Sequence, residues 1–488
     1  MYSLGIDVGS SSIKVSVLDI EKGNCLSSSQ NPRTEMLISA PFKGFAEQDP
    51  EMWWGYIKDC LGDLALQCDL SRIVSIGISY QMHGLVIVDK DIKPIRPAII
   101  WCDSRAVEIG NEALAQLGAG KCLEHLLNSP GNFTASKLAW VKRNEKDNFS
   151  RIWKFMLPGD YIAYKFSGEV GTTETGLSEQ ILWDFKEHRR ADFVADYYGI
   201  PTNSIPDIVP SLGISARTSK EIQELFGIPE GTPISYRAGD QPNNAFSLNV
   251  LNPGEVAATG GTSGVVYGVT DTPKADLQSR VNTFLHVNNN NSDPRLGVLL
   301  CINGTGIMNS WVHRNITPDL SYDQMNLLAK DVPVGSDGLI VLPFGNGAER
   351  VLGNRSVGAK FIKLDLVRHT NAHILRATQE GIAYSFRYGI DIMKDLGIKP
   401  SVIRAGKANL FLSPIFRSTL ATLCNVSIEL FDTDGALGAA RGAALGAGYY
   451  ATPEEAFANL SLLEVITPEN SWADTLEESY HIWKGNIG

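Results

Sequence analysis

The sequence lacks the features that mark nucleic-acid-binding, secreted and membrane proteins. It has 43 Lys and Arg against 54 Asp and Glu, a formal net charge of -11 and no long basic run, so no nucleic-acid partner is expected. No apolar stretch is long enough to cross a bilayer, and the first residues show no basic segment followed by an apolar one. Neither secretion nor a membrane span is therefore expected.

Cysteine is scarce and scattered. The 7 cysteines form no CxxC pair and have no neighbouring histidines that would complete a zinc site. This usage is typical of reduced thiols in a cytoplasmic protein.

The chain has 488 residues, of which 43% are hydrophobic and 20% charged. Such a composition is that of a globular protein, and the length predicts two or three domains, which excludes a single small binding module.

The two common nucleotide-binding motifs are also missing. No GxxxxGKS or GxxxxGKT segment occurs, and no GxGxxG follows a strand-like run and opens a helix. A Walker-type or Rossmann-type site is therefore not expected.

The sequence does contain two turns rich in small residues, about half the chain length apart. The β-prone residues 4–8 and 13–17 flank the turn 9–12, and residues 256–269 repeat the pattern around the turn 260–264. Each segment predicts a β-hairpin, and together they divide the chain into two halves.

Strand-like runs alternate with helical stretches in both halves. Strands are predicted at 73–79, 85–88, 98–101, 339–342 and 428–431, and helices at 53–66, 375–396 and 413–424. Such alternation is typical of α/β layers around a mostly parallel sheet. The polar tract 288–293 predicts the loop of a surface hairpin.

Asp7 comes at the end of the first predicted strand, close to the first turn. Backbone N–H groups of small residues can approach a phosphate closely, and a nearby carboxylate can hold magnesium, directly or through water. An ordinary hairpin turn has the same composition. The presence of two such turns, one in each half, favours a binding site in which both turns contact one phosphate chain.

Asp240 follows Gly239 and precedes Gln241 and Pro242. An Asp in this position could accept the proton of a substrate hydroxyl. It could equally cap a helix that starts near Asn243. The pattern alone leaves both interpretations open.

Two further groups of residues follow predicted strands, where ligands tend to bind in α/β sheets. Met82 and His83 form the first group, although a lone His is more often structural. In the second group, Trp101 could offer an aromatic wall to a sugar, and Asp103 and Arg105 could offer it a charged pair. Alternatively, Asp103 could form a surface salt bridge with Arg105.

Taken together and in order, the motifs of the chain resemble those of the FGGY family of carbohydrate kinases. They are DVGSSSIK at the start, QMHG at 81–84, PAIIWCDSR at 97–105, GDQ at 239–241, TGGTSG at 259–264 and GALGAARGAAL at 435–445. The resemblance implies an α/β chain with a two-lobed, actin-like (ribonuclease H-like) ATPase fold and a central cleft. It also implies a mainly sugar-binding N-terminal lobe over 1–246 and a mainly ATP-binding C-terminal lobe over 247–488.

The resemblance further implies roles for individual residues. Asp240 corresponds to the general base, and Asp7 to the carboxylate associated with magnesium. With the residue patterns added, the expected sugar contacts are Met82, His83, Trp101, Asp103, Asp240 and Gln241. The expected ATP contacts are Gly9, Ser10, Ser11, Ser12, Lys14, Gly261, Thr262, Ser263, Gly304, Gly406, Lys407 and Asn409.

The Met-His-Gly triplet is most similar to that of family members that act on D-xylulose. The expected reaction is therefore ATP-dependent phosphorylation of D-xylulose to D-xylulose 5-phosphate, with magnesium. Gln241 stands where those kinases often have Asn and glycerol kinases have Gln, so another sugar or polyol (ribulose, gluconate or glycerol) is the alternative. A non-catalytic actin-like nucleotide-binding protein is the second alternative. A homodimer is expected only because dimers are common in the family.

Overall fold

The computed structural model describes all residues from 1 to 488, and they form two compact units. The first unit contains Met1–Asn249, Phe284–Leu296 and Thr433–Leu460. The second contains Val250–Thr283, Gly297–Asp432 and Ser461–Gly488. Each unit is built on a β-sheet with helices packed on it, and the second sheet also includes Phe284, Leu285 and Leu296, which count with the first unit. The predicted α/β class is confirmed.

The sheet of the first unit begins with the predicted N-terminal hairpin. Its strands are β1 (Tyr2–Val8), β2 (Ile13–Asp19), β3 (Asn24–Asn31), β4 (Ile73–Tyr80), β5 (Leu212–Arg217) and β6 (Pro233–Gly239), in the spatial order β5-β6-β4-β1-β2-β3. β1 is antiparallel to β2 and parallel to β4, which is parallel to β6. Leu4, Ile6, Val15 and Val17 are fully buried, as their alternation predicts.

The sheet of the second unit begins with the second predicted hairpin. Its strands are β7 (Glu255–Gly260), β8 (Gly264–Thr270), β9 (Asn282–Leu285), β10 (Leu296–Ile302), β11 (Val402–Gly406), β12 (Ile428–Phe431) and β13 (Leu462–Ile466), in the order β9-β10-β8-β7-β11-β12-β13. β7 is antiparallel to β8 and parallel to β11. The polar tract 288–293 joins β9 and β10, so the predicted hairpin loop is confirmed.

The two sheets share one strand order, because β3-β2-β1-β4-β6 in the first corresponds to β10-β8-β7-β11-β12 in the second. This repeat explains the two similar hairpin signals in the sequence. The prediction of a mostly parallel sheet was wrong. Each sheet is mixed, because each half opens with strands joined by a tight turn, and such strands can only be antiparallel.

The predicted helices at 53–66, 375–396 and 413–424 correspond to Pro50–Ala65, Asn371–Asp395 and Pro414–Cys424. Asp49 and Ser413 cap two of them, each just before a proline in the first helical turn. The other helices are Val107–Leu117, Ala119–His125, Thr134–Asn144, Lys146–Arg151, Pro158–Ser167, Glu174–Gln180, Asp192–Tyr198, Lys220–Phe226, Asp240–Ser247, Gly306–Ile316, Tyr322–Lys330, Gly435–Gly446, Pro453–Phe457 and Ala473–Gly485. None of the helices combines the length and the apolar character that a bilayer span requires.

Short strand pairs complete the fold, and they include the remaining predicted strands. The pairs are Glu47–Gln48 with Ala98–Ile99, Val86–Val88 with Lys154–Met156, Gly171–Thr173 with Asp207–Val209, Trp183–Asp184 with Arg189–Arg190, and Ile340–Phe344 with Gly358–Ile362.

The late helix Gly435–Gly446 packs directly on the sheet of the first unit. Gly5 and Gly77 lie opposite each other on β1 and β4. A Cβ atom on Gly5 would come within 1.8 Å of the carbonyl oxygen of Ala436, and one on Gly77 within 2.0 Å of that of Ala439. The helix backbone therefore rests on the sheet backbone, which explains the small residues of both elements.

This helix makes the first unit discontinuous in sequence, because Thr433–Leu460 belongs with the N-terminal residues. The compact units therefore divide the chain differently from the predicted lobes 1–246 and 247–488. The lobe boundaries 1–246 and 247–488 therefore stay a prediction.

Candidate active site

Asp240 is the first residue of the helix Asp240–Ser247, directly after β6. Burial raises the pKa of its carboxyl to about 7, and the negative charge of Asp7 adds to this rise, while hydrogen bonds from Gln241 oppose it. A carboxyl group with a pKa near neutrality is well matched to proton transfer at physiological pH. The N-cap of this helix is Gly239 and no side chain caps it, so the interpretation of Asp240 as a helix cap was wrong, while the raised pKa of its carboxyl suits the role of a general base.

Asp7 lies at the end of β1 among groups of both charges. The Ser79 hydroxyl donates to its Oδ1 at 2.8 Å. Burial raises the pKa of Asp7 first of all, and the charge of Asp434 adds to the rise, while the Ser79 hydrogen bond and Lys14 oppose it. A Cβ atom on Gly435 would come within 2.4 Å of Asp7 Oδ2, so only glycine permits this approach.

Lys14, an expected phosphate contact, pairs instead with a carboxylate in this structure. Its Nζ donates to Asp434 Oδ2 at 2.6 Å, and both side chains are about one third exposed. Asp434 also caps the helix Gly435–Gly446 through the N–H of Leu437 at 2.9 Å. Asp434 was missed in the sequence, although an Asp before a helix-forming run was a usable signal.

Asp7 is thus the middle one of three carboxylates in the first unit, because the charge of Asp434 raises the pKa of Asp7 and the charge of Asp7 raises the pKa of Asp240. No cluster of three or more His, Cys, Asp or Glu side chains has the arrangement of a protein metal site. Carboxylate oxygens nevertheless suit magnesium, which usually keeps several waters and binds through one or two carboxylates and the substrate phosphates. The donor set therefore fits an ion that arrives with a nucleotide.

Met82 lies beside the start of the Asp240 helix, and His83 follows it in the chain. A Cβ atom on Gly239 would come within 2.6 Å of Met82 Cγ, so the thioether side chain lies over the residue before Asp240. His83 Nδ1 lies 3.1 Å from the carbonyl oxygen of Glu179. A carbonyl oxygen can only accept, so Nδ1–H is the donor in this hydrogen bond.

Glu179 is a buried residue that the sequence motifs did not reveal. Its carboxylate accepts the Tyr80 hydroxyl at 2.7 Å and the His83 N–H at 3.0 Å. Burial raises the pKa of Glu179 to about 8, and the hydrogen bonds from Tyr80 and His83 oppose the rise, while the charge of Asp240 adds to it. Glu179 was missed because it stands in a helix without a recognisable local pattern.

The helix Thr134–Asn144 fastens both loops that carry the expected sugar contacts. Lys137 Nζ donates to the carbonyl oxygens of His83 at 2.8 Å and Ile100 at 3.0 Å. The Thr134 hydroxyl donates to the carbonyl oxygen of Gly84 at 3.3 Å. The first turn of this helix therefore fixes the segment around His83 and the segment before Trp101.

Trp101 connects the expected sugar contacts with the expected phosphate contacts in the first turn. Its side chain is 54% exposed, and its indole N–H donates to Ser10 Oγ in the first turn at 3.2 Å. Gln48 Nε2 donates to the carbonyl oxygen of Ser10 at 2.7 Å. The turn is closed by the N–H of Gly9, which donates to the carbonyl oxygen of Ser12 at 3.2 Å.

Asp103 is buried rather than open to a ligand. Its carboxylate accepts two hydrogen bonds from Arg105 Nε, at 2.8 and 3.0 Å, and one from the N–H of Ala46 at 2.6 Å. The ion pair with Arg105 exists, but it is buried and not on the surface. Asp103 therefore shapes the loop after Trp101.

The second turn lines a cavity of about 560 Å³ within the second unit. The cavity is lined by Gly260, Gly261, Thr262, Gly306, Ile307, Asn309, Ser310, Arg314, Tyr322, Asp323, Asn326, Asn409, Leu410, Leu412 and Ser413. The Thr262 carbonyl oxygen accepts the Ile307 N–H at 3.1 Å, so the turn is fastened to a helix start. Gly261, Thr262 and Asn409, expected ATP contacts, are thus brought together.

Other expected ATP contacts have partners within the protein. The N–H of Gly304 donates to Glu349 Oε1 at 2.8 Å, and Lys407 pairs with Glu464 at 3.2 Å. Ser263 is exposed in the second turn, and Gly406 ends β11. Gln241 lies in the first turn of the Asp240 helix.

A buried carboxyl with a pKa near neutrality beside one sheet and a turn-lined cavity on a second sheet are features that suit phosphoryl transfer to a small hydroxyl compound. Sequence models of the N-terminal and C-terminal domains of the FGGY family of carbohydrate kinases match residues 2–247 and 256–451. The chain belongs to the FGGY family of carbohydrate kinases, as its motifs indicated. It is therefore a phosphotransferase.

Individual relatives are similar over nearly the whole chain. A xylulose kinase of Staphylococcus xylosus is 28% identical over 492 residues, which cover 99% of this chain and 99% of the relative. Among solved structures, a xylulose kinase from Rhodospirillum rubrum has a TM-score of 0.89 at 24% identity and covers 99% of this chain and 98% of its own. A gluconate kinase from Lactobacillus acidophilus has a TM-score of 0.90 at 22% identity and covers 99% of this chain and 97% of its own. The predicted two-lobed kinase fold is confirmed, but the fold does not select the sugar.

The pKa of Asp240 predicts the pH dependence of the reaction. If Asp240 is the general base, only its ionised carboxylate is active, and since its pKa is about 7, kcat/KM should fall about tenfold per pH unit below that value. Asp7→Asn removes the neighbouring negative charge, so the inflection should move to lower pH even if the maximal rate also falls. Steady-state rates from pH 5 to 9 check this. An inflection that Asp7→Asn leaves in place would contradict the coupling.

Proposed function

We propose that the enzyme phosphorylates D-xylulose to D-xylulose 5-phosphate, with ATP as donor and Asp240 as general base. The observation that carries the proposal is the carboxyl of Asp240 at the end of β6, with its pKa raised to about 7 and Met82 beside it. Curated relatives named xylulose kinase support the choice of sugar.

In this proposal Asp240 accepts the proton of the attacking sugar hydroxyl as the hydroxyl oxygen bonds to the γ-phosphorus, while the bond from the γ-phosphorus to the bridging β-phosphate oxygen breaks and ADP leaves with that oxygen. Positioning and charge stabilisation provide most of the remaining rate enhancement in phosphoryl transfer.

The sugar contacts follow from the chemistry of the side chains near Asp240. The Met82 thioether can pack on the C–H face of the sugar, and His83 Nε2 can accept a hydrogen bond from a hydroxyl. The exposed indole of Trp101 can form an aromatic wall. Gln241 can bond a further hydroxyl, and Asp103 acts by holding the Trp101 loop.

The nucleotide contacts comprise the two turns and the cavity of the second unit. Gly9, Ser10, Ser11, Ser12 and Lys14 would contact the phosphates from the first turn, and the cavity beside Gly261, Thr262 and Asn409 would take ATP. Ser263, Gly304, Gly406 and Lys407 would contribute from the neighbouring loops. Asp7 would hold magnesium through water, and the ion would neutralise charge on the phosphates.

A panel of sugars tests the substrate. D-Xylulose should give the highest kcat/KM among xylulose, ribulose, gluconate, glycerol and fuculose, because a sugar hydroxyl that misses His83 or Gln241 loses its hydrogen bonds to water without gaining one from the protein. Coupled ADP release measures the rates. Should gluconate or glycerol exceed xylulose tenfold, the alternative substrate class is correct, while no sugar-dependent ADP release at all would favour a non-catalytic actin-like protein.

The cytoplasmic location, the absence of a nucleic-acid partner and the homodimer stay predictions.

A further inference from the structure

The main chain of His83 is held by two buried ionisable side chains. His83 has a φ of 61°, in the left-handed region that residues other than glycine adopt rarely. Glu179 Oε2 accepts its N–H at 3.0 Å, and Lys137 Nζ donates to its carbonyl oxygen at 2.8 Å. Both polar groups of this residue's backbone therefore bond to side chains from two different helices.

Both of these side chains are buried, which is unusual for Lys and Glu. Lys137 is 0% exposed and Glu179 is 2% exposed. Lys137 also binds the carbonyl oxygen of Ile100, just before Trp101, at 3.0 Å. Burying such groups costs free energy unless they are hydrogen-bonded, and here both groups bond to the backbone of the same residue.

The imidazole of His83 has little remaining freedom once its backbone is fixed. The ring of Phe133 meets it edge-on at 4.7 Å between centroids, and the ring of Phe284 lies at 5.4 Å. Nδ1 lies 3.1 Å from the carbonyl oxygen of Glu179. The backbone, the two aromatic rings and this hydrogen bond together determine where Nε2 lies.

We propose that Lys137 and Glu179 are positioning residues of the sugar site, which fix the left-handed backbone of His83 and so present its Nε2 to a sugar hydroxyl. The inference rests on the proposed function, in which His83 contacts the sugar. Neither residue touches the reacting atoms. Their effect is on sugar binding, whereas the ATP site of the second unit is unaffected.

Two substitutions of Glu179 separate its hydrogen bond from its charge. Glu179→Gln and Glu179→Met both remove the titratable group, but only Gln keeps an oxygen that can accept the His83 N–H. Glu179→Met should raise the KM for the sugar about tenfold or more, and Glu179→Gln should stay within about threefold of the wild type. The KM for ATP should change in neither variant. Equal sugar KM values for the two variants would overturn the role of Glu179.

Lys137 has a matched control in the same unit. Lys154 Nζ also donates to two backbone carbonyl oxygens, those of Asn203 at 2.8 Å and Ile205 at 3.0 Å. Lys137→Met should raise the sugar KM about tenfold, because two buried carbonyls lose their donor, whereas Lys154→Met should leave it unchanged. Equal effects of the two substitutions would overturn the role of Lys137.

The same substitutions in a His83→Ala background decide whether they act through the imidazole. We expect Glu179→Met and Lys137→Met to have little further effect on the sugar KM there, because the group that they position is gone. Undiminished effects in this background would show a merely structural role and overturn the inference.

The failure of the inference is distinguishable from that of the proposed function. If His83→Ala alone leaves the KM for every sugar of the panel unchanged, the sugar contact itself is wrong. If His83→Ala raises the KM but neither Glu179→Met nor Lys137→Met does, only the positioning is wrong. Should one of these two variants not fold, the other decides, since each is tested against its own control.

Discussion

Asp240→Asn should lower kcat by about 10² to 10⁴, because an amide cannot accept the proton of the sugar hydroxyl. The sugar KM should change little, since the amide keeps the size and most of the hydrogen bonds of the carboxylate. Steady-state rates with D-xylulose and ATP measure the loss. Folding should be intact. The pKa of Asp240 is about 7 in the folded protein, above its ordinary value of 3.8. The free energy of unfolding therefore falls as the pH rises from 3.8 to about 7. Removing the charge should therefore raise Tm at pH 8.

Asp192→Asn is the matched control for this substitution. Asp192 is also the first residue of a helix, Asp192–Tyr198, and its side chain is 47% exposed beside Arg190. Its replacement should leave kcat unchanged. A loss of less than about tenfold for Asp240→Asn, in a variant with an unchanged or higher Tm, would assign the base to another residue.

Gly77→Ala should destabilise the first unit by about 3 kcal/mol or more, or roughly 6 °C or more in Tm. The added Cβ would lie 2.0 Å from the carbonyl oxygen of Ala439, and a helix backbone cannot move aside as a flexible side chain can. Thermal unfolding followed by circular dichroism measures the change.

Gly62→Ala offers the opposite result as a control. Gly62 lies in the helix Pro50–Ala65 with no atom within 4 Å of its added Cβ. Alanine is the better helix former, so this substitution should stabilise the protein by up to about 1 kcal/mol. If Gly77→Ala left Tm unchanged, the helix Gly435–Gly446 would not rest on β1 and β4 as described.

The hairpins and helices that carry their signals locally could be predicted from the sequence. The turns at Gly9 and Gly261 are defined by small residues, and Asp49 and Ser413 cap helices that the apolar pattern had indicated. The parallel pairings of β1 with β4 and of β7 with β11 depend on segments far apart in sequence. No local pattern reports such partners, so the proportion of parallel pairing could not be predicted.

In the candidate site, too, some residues could be predicted from local motifs and others could not. Asp7, Asp240 and His83 stand in short motifs next to strand ends, where their chemistry is visible in the sequence. Lys137 and Glu179 stand inside helices, and what gives them a role is the backbone of a residue that is distant in the chain. That relation exists only after folding.

The discontinuous first unit has a consequence for how the protein can be synthesised. The ribosome completes nearly the whole chain before the helix Gly435–Gly446 emerges, and until then Gly5 and Gly77 lack the element that covers them. The hydrogen bonds from the hydroxyls of Ser3 and Ser235 to the carbonyl oxygens of Ala440 and Ala443 also cannot form until then. Domains usually fold as units during synthesis, beginning with the N-terminal one. Here the N-terminal unit can reach its final packing only after the bulk of the other has been made, so a nascent chain exposes an uncovered sheet face for most of its translation.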